Sequence, residues 1–187
     1  MQFAEFLSQD EVEQIHDASL EILETVGVLV NNNNARDIYL HHGCRVDGET
    51  AVVKFPRNVV ETYRQMFVPS FSFVGREPQF DRTIPDDRPV ILTGSSAPNL
   101  IDPDSGEERR ATSKDIADIA FLINELPGYD VFSISTLADD APADQFSVSR
   151  FYPSLKNCQK PVRSNTVNMQ DLLQVLELGA IIAGGEE

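Results

Sequence analysis

Residues 131–136 read VFSIST, and this short run determines the fold class that we expect for the chain. It is apolar enough to be covered on both faces, which is typical of a strand in a parallel sheet. A helical pattern capped at Thr112 precedes it and ends at Pro127, and a second one follows from about Ala143 to Asn157. The sequence therefore predicts a strand between two helices, the repeating unit of a parallel α/β fold.

The same alternation extends to both sides of that run. PVIL at residues 89–92 predicts an earlier strand that reaches Thr93, and KPVRSNTV at 160–167 predicts a later one, followed by an apolar helix from Met169 to about Ala183. Asp115 lies three residues after Thr112, so the two can form a capping box for the first of these helices. Three consecutive units predict parallel strands joined by right-handed crossovers.

The first part of the chain follows a different, mostly helical pattern. Ser8 and Glu11 predict a capping box for a helix that ends at Gly27, and two more helices are expected, from about Ala35 to His42 and from Pro56 to just before Pro69. A hairpin around Asp47-Gly48 and an FSFV strand at 71–74 complete it. We expect a helical region at 1–75 and an α/β region at 76–187. In the helical region, the apolar side chains expected to face the core are Val12, Ile15, Ile22, Leu23, Val26, Ile38 and Tyr39.

Composition excludes several classes of partner. The formal net charge is −15, with 15 Lys and Arg against 30 Asp and Glu, so nucleic acid and anionic membranes are not expected to bind. The opening residues do not follow the pattern of a secretion signal, and no apolar run reaches the roughly 20 residues of a membrane span. We expect a cytoplasmic protein. Cys44 and Cys158 lie too far apart in sequence to indicate a disulfide framework.

The last predicted helix is apolar on most faces, and three parallel strands neither close a barrel nor cover a sheet. Two explanations are open. The residues form the front of a (β/α)8 barrel, with about three of its eight repeats, or they form a small, complete three-strand α/β domain. We expect the first, because a helix that is apolar all round needs neighbours on several sides.

Several motifs in order resemble the trimethylamine methyltransferase family. They are LSQDEVEQIHDASLEILETVGVLV, GCRVDGETAVVKFP, FSFVGREP, TGSSAPNLIDPDSGEERRAT and KPVRSNTVN, followed by the closing AGGEE. The resemblance covers the chain from about Phe6 onward. It implies a cytoplasmic (β/α)8 barrel enzyme, more than twice as long as this chain, of which only the N-terminal part is present.

The resemblance also implies a reaction and its partners. Family members transfer a methyl group from a methylated amine, such as trimethylamine or glycine betaine, to the cobalt of a corrinoid (cobalamin) carried by a partner protein and not covalently bound to the enzyme. Some members use pyrrolysine at a position that would lie beyond residue 187. We also expect a homo-oligomer. The leaving amine departs neutral, so no general acid is required, and the sequence assigns no catalytic residue and no metal ligand.

Barrel enzymes place their sites at the carboxyl ends of the strands, and this rule selects candidate substrate contacts. They are Ser95 and Ser96 after the first strand, Thr136 and Asp139 after the second, and Asn165 after the third. The serines would bind substrate or line the corrinoid channel, and Asp139 or its neighbour Asp140 would offset the charge of a methylated ammonium group. Alternatively, the small residues Gly94 to Ala97 only let the following hairpin fold back, and the acidic residues are solvated surface.

Other groups are interpreted as structural. Phe121, Phe151 and Tyr152 are expected to pack in the core rather than to form a cage for a cation. His41, His42 and Cys44 suggest a metal site, but adjacent helical histidines point in different directions, and we do not expect one. The alternative function is a noncatalytic family member that serves as an oligomerisation or partner-docking module.

Overall fold

The computed structural model describes residues 6–94 and 96–185 and has a mixed α/β fold. The chain divides into two compact units, Met1–Pro69 and Ser70–Glu187. Each unit has its own helices and short strands. Neither contains a helix that is long and apolar enough to cross a membrane, within the described residues.

The first unit packs three helices with a small antiparallel sheet in which residues 52–54 lie between residues 28–29 and residues 45–46. Val28 pairs with Val53, and Arg45 pairs with Lys54 on the other side of the central strand. The elements are α1 (Gln9–Thr25), β1 (Val28–Leu29), α2 (Asn33–His41), β2 (Arg45–Val46), β3 (Val52–Lys54) and α3 (Arg57–Arg64).

Helix α1 begins at the capping box predicted for it, with the Ser8 and Glu11 side chains each bonded to the other's backbone N–H. The apolar face expected to be buried is largely exposed, however, and this expectation was wrong. Leu20 is the buried residue of α1, while Val12, Ile15 and Ile22 remain exposed. The reason is the size of the unit, because strands of two or three residues offer too little area to cover a helix of five turns.

The second and third helices also differ from expectation at their ends. Helix α2 begins two residues early, because the Asn32 side chain accepts a hydrogen bond from the Ala35 N–H and acts as its N-cap. Pro56 is the N-cap of α3 rather than its first residue, and α3 ends at Arg64, well before Pro69. The inward-facing positions predicted in α2 were also wrong, since Ile38 and Tyr39 are exposed.

The second unit contains two antiparallel hairpins and a parallel α/β portion. The hairpins are β4 (Phe71–Phe73) with β5 (Arg82–Ile84), and β6 (Asn99–Ile101) with β7 (Glu108–Arg110). The parallel portion contains α4 (Ser113–Glu125), β8 (Phe132–Ser133), α5 (Val148–Asn157), β9 (Val162–Arg163) and α6 (Met169–Ile182). Strand β5 was not predicted.

Three chain segments lie side by side in the parallel portion, in the order of the sequence. Phe132 of β8 pairs with Val162 of β9, and single parallel bridges join Leu92 to Val131 and Ala97 to Thr136. The parallel pairing of the three predicted strands is therefore confirmed. The first one is not a regular strand and is joined to residues 131–136 by single bridges.

Helix α5 is shorter than predicted. A 3-10 turn occupies Ala143–Gln145, and the α-helix starts at Val148. Helix α4 agrees with expectation, because Thr112 and Asp115 form both bonds of the capping box.

Helices α4 and α5 cover the strand of residues 131–136 and form the core of this unit. Its buried members are Ile116, Ala120, Ile123, Phe132, Ile134, Phe151 and Cys158. Phe151 thus packs as expected, but Phe121 and Tyr152 are 59% and 53% exposed, so their assignment to the core was wrong. They lie on the outer faces of their helices. Helix α6 packs Val175 and Leu178 against the core and leaves Leu173, Leu176 and Ile181 exposed.

Candidate functional site

Polar groups lie at both ends of residues 131–136, and at the amino-terminal end both oxygens of the Asp130 carboxylate are hydrogen-bonded. The buried carboxylate of Asp130 accepts hydrogen bonds from Arg82 Nε at 2.9 Å, Arg88 Nη2 at 2.7 Å and the Ile91 N–H at 2.9 Å. Two cations and a backbone donor therefore compensate the cost of burying this carboxylate. We interpret this cluster as a structural anchor for the start of the strand.

The carboxyl-terminal end has a buried cation with much weaker partners. Arg150, on α5, is 1% exposed, and its Nη2 lies 3.4 Å from the Ile134 carbonyl and 3.5 Å from the Ser96 hydroxyl. Both distances are at the long limit for a hydrogen bond. Nε and Nη1 have no hydrogen-bond partner among the described residues. Burial lowers the pKa of Arg150, because desolvation disfavours the charged guanidinium.

An aromatic ring gives Arg150 partial compensation. Its guanidinium carbon lies 5.1 Å from the centre of the Phe146 ring, within the range of a cation–π interaction. Such a contact stabilises the charge but accepts no hydrogen bond from the free N–H groups. The Nε and Nη1 groups therefore stay without an acceptor among the described residues.

Two hydroxyl groups in the residues after Ile134 also lack hydrogen-bond partners among the described residues. Ser135 Oγ and Thr136 Oγ1 are buried and have no hydrogen-bond partner within residues 6–94 and 96–185. Buried polar atoms are normally bonded, so each of these unbonded groups calls for an explanation. The carboxyl end of this strand is our candidate site.

The structure places two of the predicted contacts beside this end. Ser96 is exposed, adopts a φ of 64°, and donates its N–H to the Ile134 carbonyl at 3.4 Å, while its hydroxyl contacts Arg150. Thr136 is 4% exposed and forms the bridge to Ala97. Ser95 lies outside the described residues.

The two remaining candidates are on the surface beyond the strands. Asp139 donates its N–H to Ala111, and its carboxylate lies 3.5 Å from Arg110 Nε. Asn165 is exposed after β9. The neighbouring Asp140 accepts from the Ser113 N–H at 2.8 Å and hydroxyl at 2.6 Å, which lowers the pKa of its carboxyl. These two hydrogen bonds connect the loop that contains Asp140 to the start of α4.

Sequence reasoning missed Arg150. The signal available was its position one residue before the core residue Phe151, in a helix whose buried residues also include Pro153 and Ser154. Helical periodicity alone does not separate a buried arginine there from one that reaches solvent along the helix surface.

The first unit has an apolar cavity of about 600 Å³ between α2 and α3. His42 Nδ1 and the Tyr63 hydroxyl are 2.6 Å apart at its wall. Cys44 is buried there, and desolvation raises the pKa of its thiol. In the part of the chain that the structure describes, no three His, Cys, Asp or Glu side chains form a group suited to a metal ion. The further residues that line the cavity are Ile38, Tyr39, Phe55, Val59, Val60, Arg64 and Phe67.

Parallel strands in chain order, with polar side chains at their carboxyl ends, define an α/β protein of the kind that binds ligands at that edge. The family model for trimethylamine methyltransferase (MTTB) matches residues 1–187, and the chain belongs to this family.

Curated relatives agree with that assignment. The chain is 28% identical over 180 residues to trimethylamine methyltransferase MttB of Desulfitobacterium hafniense (strain DSM 10664 / DCB-2), an alignment that covers 96% of this chain and 36% of the relative. It is 26% identical over 183 residues to the glycine betaine methyltransferase of D. hafniense (strain Y51), covering 97% and 37%. Over 134 residues it is 33% identical to MttB of Methanosarcina barkeri (strain Fusaro / DSM 804), covering 70% and 27%. The chain spans about a third of the length of the relatives it matches.

Proposed function

We propose that this chain is the front part of a (β/α)8 barrel methyltransferase that moves a methyl group from a methylated amine to the cobalt of a corrinoid on a partner protein. The observation that carries the proposal is the family match along residues 1–187. Three parallel strand segments in chain order support the barrel, because that is how the first repeats of such a barrel are arranged.

The reaction breaks one C–N bond and forms one C–Co bond. The electron pair of the C–N bond stays on nitrogen, so a quaternary ammonium group leaves as a neutral amine and no proton has to be supplied. Trimethylamine leaves as neutral dimethylamine when it reacts in its protonated form, trimethylammonium. Cobalt(I), as the acceptor substrate, provides the nucleophile. The chain's task is then to hold the amine in line with the acceptor and to exclude water.

The carboxyl ends of the strands provide the positioning groups in this proposal. Ser95, Ser96, Thr136, Asp139 and Asn165 contact the substrate or line the approach of the corrinoid. We place the reaction in the cytoplasm and expect the enzyme to be a homo-oligomer. Both statements come from the family resemblance.

A second candidate is a noncatalytic docking module. The observation that favours it is the exposed apolar surface on α1, with Val12, Ile15 and Ile22, and on α6, with Leu173 and Leu176. Apolar patches of this kind mark contact surfaces. The remaining repeats of a barrel would cover the α6 patch equally well.

A methyl-transfer assay on the full-length natural protein tests the proposal. The protein is mixed with reduced corrinoid protein and with trimethylamine or glycine betaine, and the demethylated amine is measured by NMR while the cobalt absorbance is followed. We expect one demethylated amine to form in proportion to the protein added, and none when the amine is omitted. A folded protein that demethylates neither amine contradicts the proposal and leaves the docking module.

A further inference from the structure

Helix α1 has a second apolar face beside the one that packs within its own unit. On the packed face Leu20 is buried, and His16 Nε2 lies 2.6 Å from Glu61 Oε1 in α3. An α-helix turns by about 100° per residue, so the second face lies about a quarter of a turn away. We call this face the α1 stripe, and its four apolar members are 46–65% exposed. The stripe consists of Val12, Ile15, Ser19, Ile22 and Val26.

The spacing of the α1 stripe is typical of helices that pair along their length. Its members follow one another at intervals of three, four, three and four residues, which is the heptad spacing of the a and d positions. Helix α1 has 17 residues and is therefore about 25 Å long. The stripe extends along nearly all of this length, so it suits a partner that is itself a helix.

The residue types of the stripe read the same in both directions. Val12 and Val26 lie at its ends, Ile15 and Ile22 lie further in, and Ser19 is at the centre. A twofold axis near Ser19 would place valine opposite valine and isoleucine opposite isoleucine in two antiparallel copies of the helix. The small serine at the crossing point lets the helices approach closely. An antiparallel pair of identical helices needs this symmetry, whereas a different partner does not.

The hydroxyl groups near the stripe do not oppose its burial. The Ser19 hydroxyl donates to the Ile15 carbonyl at 2.7 Å, and the Thr25 hydroxyl donates to the Glu21 carbonyl at 2.7 Å. Each hydroxyl proton therefore has its acceptor within the helix, four residues back. Neither group needs water to accept that proton, so the stripe can be covered by apolar side chains.

The charges of α1 lie away from the stripe. The helix has six carboxylates and no Lys or Arg, so two copies would repel each other if these groups met. Glu11 is the carboxylate nearest the stripe, and it accepts hydrogen bonds from the Ser8 N–H and hydroxyl at 2.8 Å each. In an antiparallel pair the two Glu11 side chains are at opposite ends. The other five carboxylates project from the far side of the helix, and they are Asp10, Glu13, Asp17, Glu21 and Glu24.

We propose that the α1 stripe is a dimer interface, which packs against the same stripe of a second copy of the chain in antiparallel orientation about a twofold axis near Ser19. The inference goes beyond the proposed methyl transfer. It assigns a specific interface to the homo-oligomer expected under that proposal, and each copy contributes the same surface.

Disulfide cross-linking of the full-length natural protein tests the interface and its direction. Ser19→Cys places two thiols at the twofold axis, within the distance that a disulfide spans, so mild oxidation should give a covalent dimer. Val12→Cys places its two thiols about 20 Å apart in an antiparallel pair and should give none, like the oxidised wild type. Cross-linking at residue 12, which a parallel pair would give, or no cross-linking at residue 19 overturns the inference.

A charge placed in the stripe tests its contribution to assembly. Ile22→Glu brings two carboxylates into the contact and should raise the concentration at which the full-length protein dissociates at least tenfold, measured by analytical ultracentrifugation. Gln14→Glu adds the same charge to an exposed position of α1 outside the stripe and should dissociate as the wild type does. An assembly that Ile22→Glu leaves unchanged overturns the inference.

The outcomes also separate a second copy from other partners. If later residues of the natural chain cover the stripe, Ile22→Glu should lower the melting temperature without changing the mass in solution, and Ser19→Cys should not cross-link. That result overturns the inference.

The methyl-transfer assay is a separate readout. Cross-linking at residue 19 in a protein that transfers no methyl group leaves the inference standing and removes the proposed function. Methyl transfer by a protein in which Ser19→Cys does not cross-link removes the inference alone.

Discussion

Arg109 donates hydrogen bonds to both carboxylate oxygens of Asp115, with Nη1 2.8 Å from Oδ2 and Nη2 2.8 Å from Oδ1. Its Nε binds Asp102 in the turn of the β6–β7 hairpin at 2.8 Å. Asp115 also accepts hydrogen bonds from the Thr112 N–H and hydroxyl at the start of α4. One guanidinium therefore holds the hairpin against the first turn of the helix that covers the strands.

This pairing predicts a loss of stability in acid. Hydrogen bonds from Arg109 hold the pKa of Asp115 well below its usual range. The backbone N–H of Ser105, followed by Arg109, lowers the pKa of Asp102 to about 2. Since both pKa values are lower in the folded state, the stabilisation is complete above the unfolded value of about 4 and is lost as the pH falls toward 2.

The variant Asp115→Asn tests the prediction. Urea unfolding at pH 6 should show a loss of about 1–2 kcal/mol, because the cap and the charged pair are both weakened, and a shallower fall in stability between pH 4 and pH 3. Asp118→Asn, on the exposed side of α4, is the control and should follow the wild type. If the free energy of unfolding falls equally steeply between pH 4 and pH 3 in both variants, Asp115 is not the group responsible for the loss of stability in acid.

Gly27 is expected to tolerate no side chain. Its φ is +80°, and a Cβ would lie 2.4 Å from the Val53 carbonyl oxygen, a backbone atom that cannot move aside. Gly27→Ala should lower the free energy of unfolding by about 3 kcal/mol, from the strained φ and the displaced strand. Gly48→Ala, which meets nothing within 4 Å, should change it by less than about 0.5 kcal/mol in the same denaturant titration.

The Lys160 side chain caps the carboxyl-terminal end of α4. Its buried ammonium donates to the Ile123 carbonyl at 2.8 Å and the Leu126 carbonyl at 2.6 Å. Lys160→Met leaves both carbonyl groups unpaired and should cost about 2 kcal/mol. The exposed Lys156→Met, in α5, serves as the matched control. Equal melting temperatures for Lys160→Met and Lys156→Met would show that water takes the place of the Lys160 ammonium group.

Replacing Arg150 by Met is expected to be neutral or stabilising, by up to a few kcal/mol. Among the described residues the buried guanidinium has no carboxylate partner, so an apolar side chain of similar length removes a desolvation cost and gives up only the two long hydrogen bonds to Ile134 and Ser96. Chemical unfolding of the variant measures the change. A loss of 3–5 kcal/mol, as for a broken buried ion pair, would show that Arg150 has an anionic partner in the protein.

Ser96→Trp in the full-length protein is expected to block methyl transfer and to keep the fold. Ser96 is exposed, and its hydroxyl contacts Arg150; if segment 94–97 lines the substrate site, a large side chain there takes up space that the substrate needs. Circular dichroism checks the fold, and Ser70→Trp, an exposed serine outside the strand ends, controls for the added ring. Unchanged turnover would show that the segment 94–97 does not line the site.

The local features of the fold could be predicted from the sequence because their partners are three or four residues apart. The capping boxes at Ser8 and Thr112 and the start of α6 at Met169 all depend on such short-range bonds. Periodicity also predicted the parallel strands, since VFSIST needs cover on both faces.

Burial and pairing were decided by the tertiary structure. Periodicity identified an apolar face on α1 but could not show that few elements exist to cover it, and it assigned Phe121 and Tyr152 to the core although they lie on outer helix faces. Arg150 meets Ser96 across 54 positions of sequence, and whether a carboxylate stands beside it depends on every element packed at that end. Contacts between distant residues follow from how the elements dock, and for this reason the unpaired guanidinium became visible only in three dimensions.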